Sequence, residues 1–255
     1  MLMVMDVGNT TCELGIFKGD DMIRTFRFIT KEKRTSDELG VLLQSYLTLI
    51  DLKFQDIDGV IISSVVPDID YTLNNTILKY FNLKPLFVGP GIKTGIQVRS
   101  DNPREVGADR IVDALAAYTL YGGPVLVLNF GTATRYDYVD EKGIFAIAIT
   151  SPGIQISADA LWKNAAKLPN IEIKKPKSIL AKNTITSMQA GLVYGYIGQV
   201  EYMVRKIQEE LQKKCTVVAT GGYAKIIVPE TDCIDYFDKE LTLKGLKLLY
   251  DKNTK

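Results

Sequence analysis

The chain has 255 residues and no histidine. That removes serine–histidine and cysteine–histidine nucleophile pairs, histidine-based zinc sites and histidine pH switches. Acid–base work in an enzyme of this composition falls to carboxylates, lysine, tyrosine or the substrate itself. Cysteine is also scarce. Cys12, Cys215 and Cys233 are odd in number and far apart, with no CxxC pair, so neither a disulfide framework nor a zinc site is expected. The expectation is a reducing cytoplasm. No charge sign dominates: Lys+Arg total 31 against 30 for Asp+Glu, so neither a nucleic-acid footprint nor a polybasic membrane patch is expected. Asp6 arrives after five residues without a basic leader, and no long apolar run follows, so no signal peptide or spanning helix is expected. What is present is 46% hydrophobic and 24% charged, the balance of a globular chain. Its length suits one large domain or two ordinary ones.

The pattern is an α/β alternation. Met3–Met5 enters a turn at Gly8-Asn9, Leu14–Phe17 leaves it, and Lys18-Gly19-Asp20 turns again. Thr35 and Glu38 fit a capping box before an apolar stripe from Leu39 to Ile50. A buried strand at Gly59–Ser63, a helix over 68–81 and a short strand at Leu86–Val88 follow. Asn102 and Pro103 read as the cap and first-turn proline of a helix reaching Tyr121. Gly122-Gly123-Pro124 breaks it, which places the domain boundary between 121 and 122. The second half then opens like the first: Leu126–Thr134 parallels Met3–Thr11, each an apolar strand, a short polar residue, an apolar residue, glycine and small residues. A second strand, a turn and a third strand follow in both. We therefore expect two domains, 1–121 and 122–255, built on a duplicated β-hairpin core. Beyond Gly153 the chain reads as mostly helical, with a helix over 157–166 and a long one from Thr184 that carries Gly191, Gly195 and Gly198 along one side. Glycines there would let another backbone approach closely.

Several short segments carry chemistry. In Asp6-Val7-Gly8-Asn9-Thr10-Thr11 a carboxylate stands at a strand end beside a tight turn, where glycine and hydroxyls suit a metal-bound phosphate. The same spacing also suits an ordinary Asx-type hairpin. Gly131-Thr132-Ala133-Thr134 repeats the design, and two such loops facing a common cleft would grip a phosphate chain from both sides. Gly221-Gly222, after a buried strand, suits either a close approach to a ring or phosphate, or a plain strand-to-helix turn. Asp109 and Arg110 point about 100° apart on a helix. They suit a proton acceptor and a carboxylate clamp, or an exposed charged pair.

Taken together the motifs resemble the type III pantothenate kinases of the acetate and sugar kinase/heat-shock chaperone/actin superfamily. The resemblance runs through DVGNT (6–10), ISSVVP (62–67), VGPGIKTGI (88–96), DNPREVGADR (101–110), FGTAT (130–134), SPGIQISADAL (151–161), AAKLP (165–169), KNTITSMQAGLVYG (182–195) and ATGGYA (219–224). It implies two ribonuclease-H-like domains with an interdomain cleft. It also implies ATP-dependent phosphorylation of pantothenate to 4′-phosphopantothenate, the first step toward coenzyme A, by a cytoplasmic homodimer. The implied cofactors are ATP, Mg²⁺ and a monovalent cation, K⁺ or NH₄⁺. By matching position, Asp6, Val7, Gly8, Asn9, Thr10 and Thr11 handle nucleotide phosphate, with Asp6 and Asn129 toward the metals. Gly131, Thr132 and Thr134 meet phosphate, and Gly221 and Gly222 the adenosine. Asp109 is the base, Ser100, Gly107 and Arg110 lie at pantothenate, and Thr184 of the partner subunit reaches it. The chain departs from the pattern at four places: Asn129 replaces an Asp, Arg135 replaces a Thr, residues 146–151 replace a glycine-rich stretch, and Ser100 replaces an aromatic found in some members. Asn129 and Arg135 leave open a second reading, a homologue that binds nucleotide or a pantothenate-like ligand in a regulatory role without turnover.

Overall fold

The computed structural model describes residues 1–254, with the side chain of Arg104 outside that description. It divides into two compact units. The first holds Met1–Gln97, Asp101–Ala116 and the residues from Glu240 onward, and the second holds Val98–Ser100 and Ala117–Lys239.

The first unit is built on a sheet of β1 (Leu2–Val7), β2 (Thr11–Lys18), β3 (Asp21–Ile29), β4 (Gly59–Ser64) and β5 (Leu86–Phe87), in the order β3-β2-β1-β4-β5. β1, β2 and β3 are antiparallel, while β4 and β5 run parallel to β1. One sheet face carries Met3, Met5, Val7, Leu14, Ile16 and Ile62, packed with Leu39, Leu43 and Leu47 of α1 (Ser36–Thr48) and Leu73 of α2 (Pro67–Thr76). The expected capping box forms: the Thr35 hydroxyl accepts from Glu38 N–H at 3.2 Å, and Glu38 Oε2 accepts from Thr35 N–H at 2.7 Å. Removing the buried Leu43 side chain would cost about 2–5 kcal/mol. The expected helix over 68–81 is α through Thr76 and a π turn through Phe81.

On the opposite face lies the C-terminal helix α7 (Leu241–Thr254). Glycine makes room for it. A Cβ on Gly59 would fall 1.9 Å from the Tyr250 hydroxyl, and one on Gly15 would fall 3.3 Å from Leu243. Helix α3 (Ala108–Tyr121) meets α7 at Gly245, whose missing side chain accommodates the Val112 carbonyl. Asn253 clasps the loop after β5, accepting from Lys93 N–H (2.9 Å) and donating to Lys93 O (3.0 Å). A division at 121/122 would give α7 to the second half; its contacts group it with the first. The expected helix from Pro103 also differs. Pro103–Glu105 is a 3₁₀ turn, Val106 is extended, and α3 starts at Ala108.

The second unit repeats the topology. β7 (Val125–Phe130), β8 (Ala133–Val139), β9 (Ile144–Pro152), β10 (Thr216–Thr220) and β11 (Tyr236–Phe237) form the order β11-β10-β7-β8-β9, with β6 (Gln97–Val98) beyond β9. As in the first unit, the first two connections are antiparallel and the last two pairings parallel. Leu126, Leu128, Phe130, Tyr136 and Tyr138 pack against α4 (Ile154–Asn164) and α5 (Thr184–Leu211), with the short α6 (Ala224–Ile227) at the edge. The duplication expected from the two hairpins is thus present as two sheets of one topology. No described helix is long and apolar enough to cross a membrane.

Candidate functional site

In the first unit the β1–β2 turn is closed by Gly8 N–H donating to Thr11 O at 3.1 Å, and Thr30 N–H donating to Thr10 O at 3.0 Å holds it to β3. Asn9, Thr10 and Thr11 are exposed at the tip, and Asp6 is half-buried at the strand end. Pairing places Asp6 directly opposite Glu13 and beside Ser63, so the three side chains share a sheet face. Glu13 is a residue the sequence reading did not single out. Its carboxylate also meets Arg27 at 2.9 Å. The Ser63 hydroxyl oxygen is buried and has no hydrogen-bond partner among the described residues. Two carboxylates and an orphaned hydroxyl therefore gather at one strand end. Cys12, on the other face, stays an inert thiol: burial pushes it well up, and the Asp6 and Glu13 charges push it further.

The Asp109 segment joins the same sheet end. Val65 N–H donates to Val7 O at 3.1 Å, extending the β1–β4 pairing past Ser64. Val65 Cγ1 lies 3.9 Å from where a Gly107 Cβ would stand. Asp109 Oδ1 occupies that space, 2.6 Å from the same point, so a side chain at 107 would displace the carboxylate. The Asp109 carboxylate folds back to accept Arg110 N–H at 3.0 Å, and Gly107 O accepts Arg110 N–H at 3.1 Å. Asp109 stands in the first turn of α3. The structure thus brings Asp6 through Thr11 and Gly107 through Arg110 to one end of one sheet.

In the second unit the equivalent hairpin end is interlocked. Gly131 N–H donates to Ala133 O at 3.2 Å. A Cβ on Gly153 would lie 2.2 Å from Thr132 O, and one on Gly221 would lie 2.7 Å from the Phe130 backbone. Gly221 also has φ +94°, open mainly to glycine. Tyr223 N–H donates to Phe130 O at 3.2 Å, and the Tyr223 hydroxyl donates to Gln155 Oε1 at 2.7 Å. Gln155 in turn donates to Asp159 at 2.8 Å. The Gly131 loop, Gly153 and the Gly221-Gly222 turn therefore form one cluster. Thr132 and Gly222 are exposed at it. Thr134 is 1% exposed and bonded to the Tyr196 hydroxyl, so it supports the loop from beneath. Asn129 stands opposite Arg135 across the hairpin and beside Thr220.

Two expected residues lie outside these clusters in sequence. Ser100 is exposed, next to Arg99, whose N–H donates to Phe145 O at 2.9 Å. Thr184 is exposed at the start of α5, where the Asn183 side chain caps the helix by accepting from Thr186 N–H at 2.9 Å. Among the described residues no group of three or more Asp, Glu, Cys or His side chains is arranged to hold a metal.

Known proteins give the site a context. The family profile described as type III pantothenate kinase matches residues 2–206. A type III pantothenate kinase of Agathobacter rectalis is 56% identical over 256 residues, covering 100% of this chain and 98% of the relative. One from Bacillus cytotoxicus is 51% identical over 253 residues, covering 99% and 97%. Among solved structures, component A of the (R)-2-hydroxyglutaryl-CoA dehydratase of Acidaminococcus fermentans superposes with a TM-score of 0.56 at 14% identity, covering 100% of this chain and 99% of that one. That likeness bears on the fold alone.

Proposed function

The chain belongs to the type III pantothenate kinase family, and from that membership we propose how its residues divide the work. The enzyme transfers the γ-phosphoryl group of ATP to the primary hydroxyl of pantothenate, giving 4′-phosphopantothenate and ADP. Asp109 accepts the proton of the attacking hydroxyl, and Arg110 clamps the pantothenate carboxylate. The turn from Gly8 to Thr11 and the loop from Gly131 to Thr132 hold the phosphates through backbone N–H groups and hydroxyls. The Gly221-Gly222 turn takes the adenosine side. Such a site needs positioning and charge neutralisation more than covalent chemistry, so the absence of histidine is no handicap.

Mg²⁺ fits the oxygen donors at the first hairpin. The ion takes one or two carboxylates and keeps several waters, and Asp6, with Glu13 and the orphaned Ser63 hydroxyl on the same face, offers that set. Bound there with ATP, it would neutralise charge on the transferred phosphoryl group. The monovalent cation fits less well. Asn129 offers a neutral amide, and Arg135 stands opposite it. A homodimer is part of the same proposal. Gly191, Gly195 and Gly198 on α5 leave open space, and Ile179, Leu180 and Ile185 are exposed nearby in sequence. A cytoplasmic setting, with no nucleic-acid or membrane partner, accords with three free cysteines and balanced charge.

The observation that carries these roles is the meeting of Asp6 and Asp109 segments at one sheet end through Val7, Val65 and Gly107. The test is phosphopantothenate formation from ATP, pantothenate and Mg²⁺. Asp109→Asn should lower kcat by about 10²–10⁴-fold, the usual worth of a positioned base. Near-normal turnover in that variant would remove Asp109 from the role. The reading as a homologue without turnover would require no product from the wild-type chain at high enzyme concentration.

A further inference from the structure

We propose that the cavity beside α2 in the first unit is a binding site for a small primary ammonium compound, a property separate from the kinase reading. The cavity measures about 380 Å³ and is lined by Ser64, Asp70, Tyr71, Asn74, Phe87 and Val88. Sites for small molecules start at about 300 Å³. Strand ends make one wall. β4 stops at Ser64 and β5 at Phe87, and Val88 N–H donating to Ile62 O at 2.8 Å carries their pairing one residue further. Helix α2 makes the other wall. Asp70 and Asn74 are four residues apart and share a helix face, and Tyr71, 77% exposed, stands three residues before Asn74. Ser64 pairs with Val7, which packs in the same core cluster as Leu73 of α2. Successive strand residues point to opposite faces, so Asp6, Glu13 and Ser63 lie on the other side of the sheet.

Asp70 sets the chemistry. Its Oδ1 is buried and has no hydrogen-bond partner among the described residues. A carboxylate oxygen cut off from water and from any donor is costly to keep, so the place calls for an N–H or O–H donor. Asp70 is also the one charged residue of the lining, so a cationic donor fits best. Pantothenate and ATP are anions and would be repelled. Asn74 Nδ2 donates to Asn75 Oδ1 at 3.4 Å, which leaves the Asn74 carbonyl oxygen as a further acceptor. Ser64 Oγ is engaged by its own turn, accepting from Val66 N–H at 3.2 Å and donating to Val66 O at 3.4 Å. Tyr71 and Phe87 add aromatic surface, which attracts a cation and covers an apolar body. A primary ammonium meets these demands together, with three N–H donors and a positive charge. A quaternary ammonium brings the charge without the donors, and a bare metal ion leaves the aromatic wall unused.

The probe is 2-phenylethylammonium, titrated calorimetrically into the full chain in an amine-free buffer. Saturable binding is expected. The neutral 3-phenylpropan-1-ol and the N-trimethylated form of the probe should bind about 10–100-fold more weakly, the value of a hydrogen bond to a charged group. A flat titration with the probe overturns the proposal, and so does equal affinity for either control. Asp70→Asn keeps the shape and removes the charge, and it should lose a similar factor. Undiminished binding in that variant places the amine elsewhere and sinks the idea. Tyr71→Ala, at an exposed position, should weaken the probe about two- to fivefold, the scale of a cation over an exposed ring. Unchanged affinity there counts against it. If Asp70→Asn does not fold, the wild-type comparison of probe and controls still decides. Kinetics keep this site apart from the kinase reading. Asp70→Asn should retain the wild-type KM for pantothenate and for ATP in amine-free buffer. A KM for pantothenate changed several-fold assigns the cavity to the substrate and overturns the proposal. A wild-type chain that forms no phosphopantothenate fails the kinase reading alone, since the titrations do not depend on turnover.

Discussion

The two hairpin ends share a backbone plan and differ in charge. In the first unit Asp6 faces Glu13; in the second, at the corresponding strand position, Asn129 faces Arg135. One end is a pair of carboxylates and the other an amide beside a guanidinium. They differ in packing as well. The Gly8 turn stands open, with Asn9, Thr10 and Thr11 exposed, and a Cβ on Gly8 would meet only Thr11 O at 3.2 Å. The Gly131 loop is braced from two sides by Gly153 and Gly221. Duplication supplied two copies of one strand–turn–strand device. In the proposed function the first end takes the metal side and the second the phosphate, the division a metal–nucleotide complex requires.

Substitutions that erase the difference should be felt in proportion to it. The largest effect is expected for Asp6→Asn, which removes the carboxylate of the acidic end. Turnover should fall about 10²–10³-fold, the scale for loss of one preorganised charge, with the Mg²⁺ requirement shifted to higher concentration in a metal titration. Next is Gly153→Ala. The new Cβ would overlap the Thr132 and Gly131 carbonyls, so the loop must move. Thermal melting should show a loss of about 1–3 kcal/mol, and the KM for ATP should rise more than that for pantothenate. Glu13→Gln should give a smaller, Mg²⁺-selective defect, read as a raised Mg²⁺ half-saturation with KM for pantothenate unchanged. The smallest effect is expected for Gly8→Ala, where the contact needs only a few tenths of an ångström of adjustment. Its stability change should stay within about 1 kcal/mol, and a larger loss than that of Gly153→Ala would reverse the contrast between the open and the braced loop.

Much of this was legible in the sequence, and the reason is local. The capping box at Thr35 and Glu38, the turn at Gly19 and the two strand–glycine–strand patterns are encoded within a few residues, where propensity and period act directly. The family resemblance then tied together segments that local patterns left as alternatives. What stayed hidden depends on tertiary register. Glu13 joins Asp6 only because the β1–β2 turn has a length that sets them opposite, and a one-residue change would face it the other way. The role of Gly153 appears only once Thr132 O is found against it. Helix α7 shows an apolar stripe of Leu243, Leu246 and Leu249 but no sign of which sheet that stripe covers. Pro103 is a good first-turn residue, and it does open a helical turn, yet a 3₁₀ one, because the extended Val106 interrupts the helix before Ala108. Thr134 matched its motif by type and is buried by the Tyr196 contact, which no spacing rule reveals.

The most direct test of a divided grip is calorimetric titration of ATP, with and without Mg²⁺, into the wild-type chain and into Asp6→Asn and Gly153→Ala. Asp6→Asn should abolish the gain in affinity that Mg²⁺ gives while leaving metal-free ATP binding near the wild-type value. Gly153→Ala should weaken ATP in both conditions and keep the Mg²⁺ gain. An Asp6→Asn variant that still responds to Mg²⁺ like the wild-type chain, or a Gly153→Ala variant that binds metal-free ATP undiminished, would contradict the account.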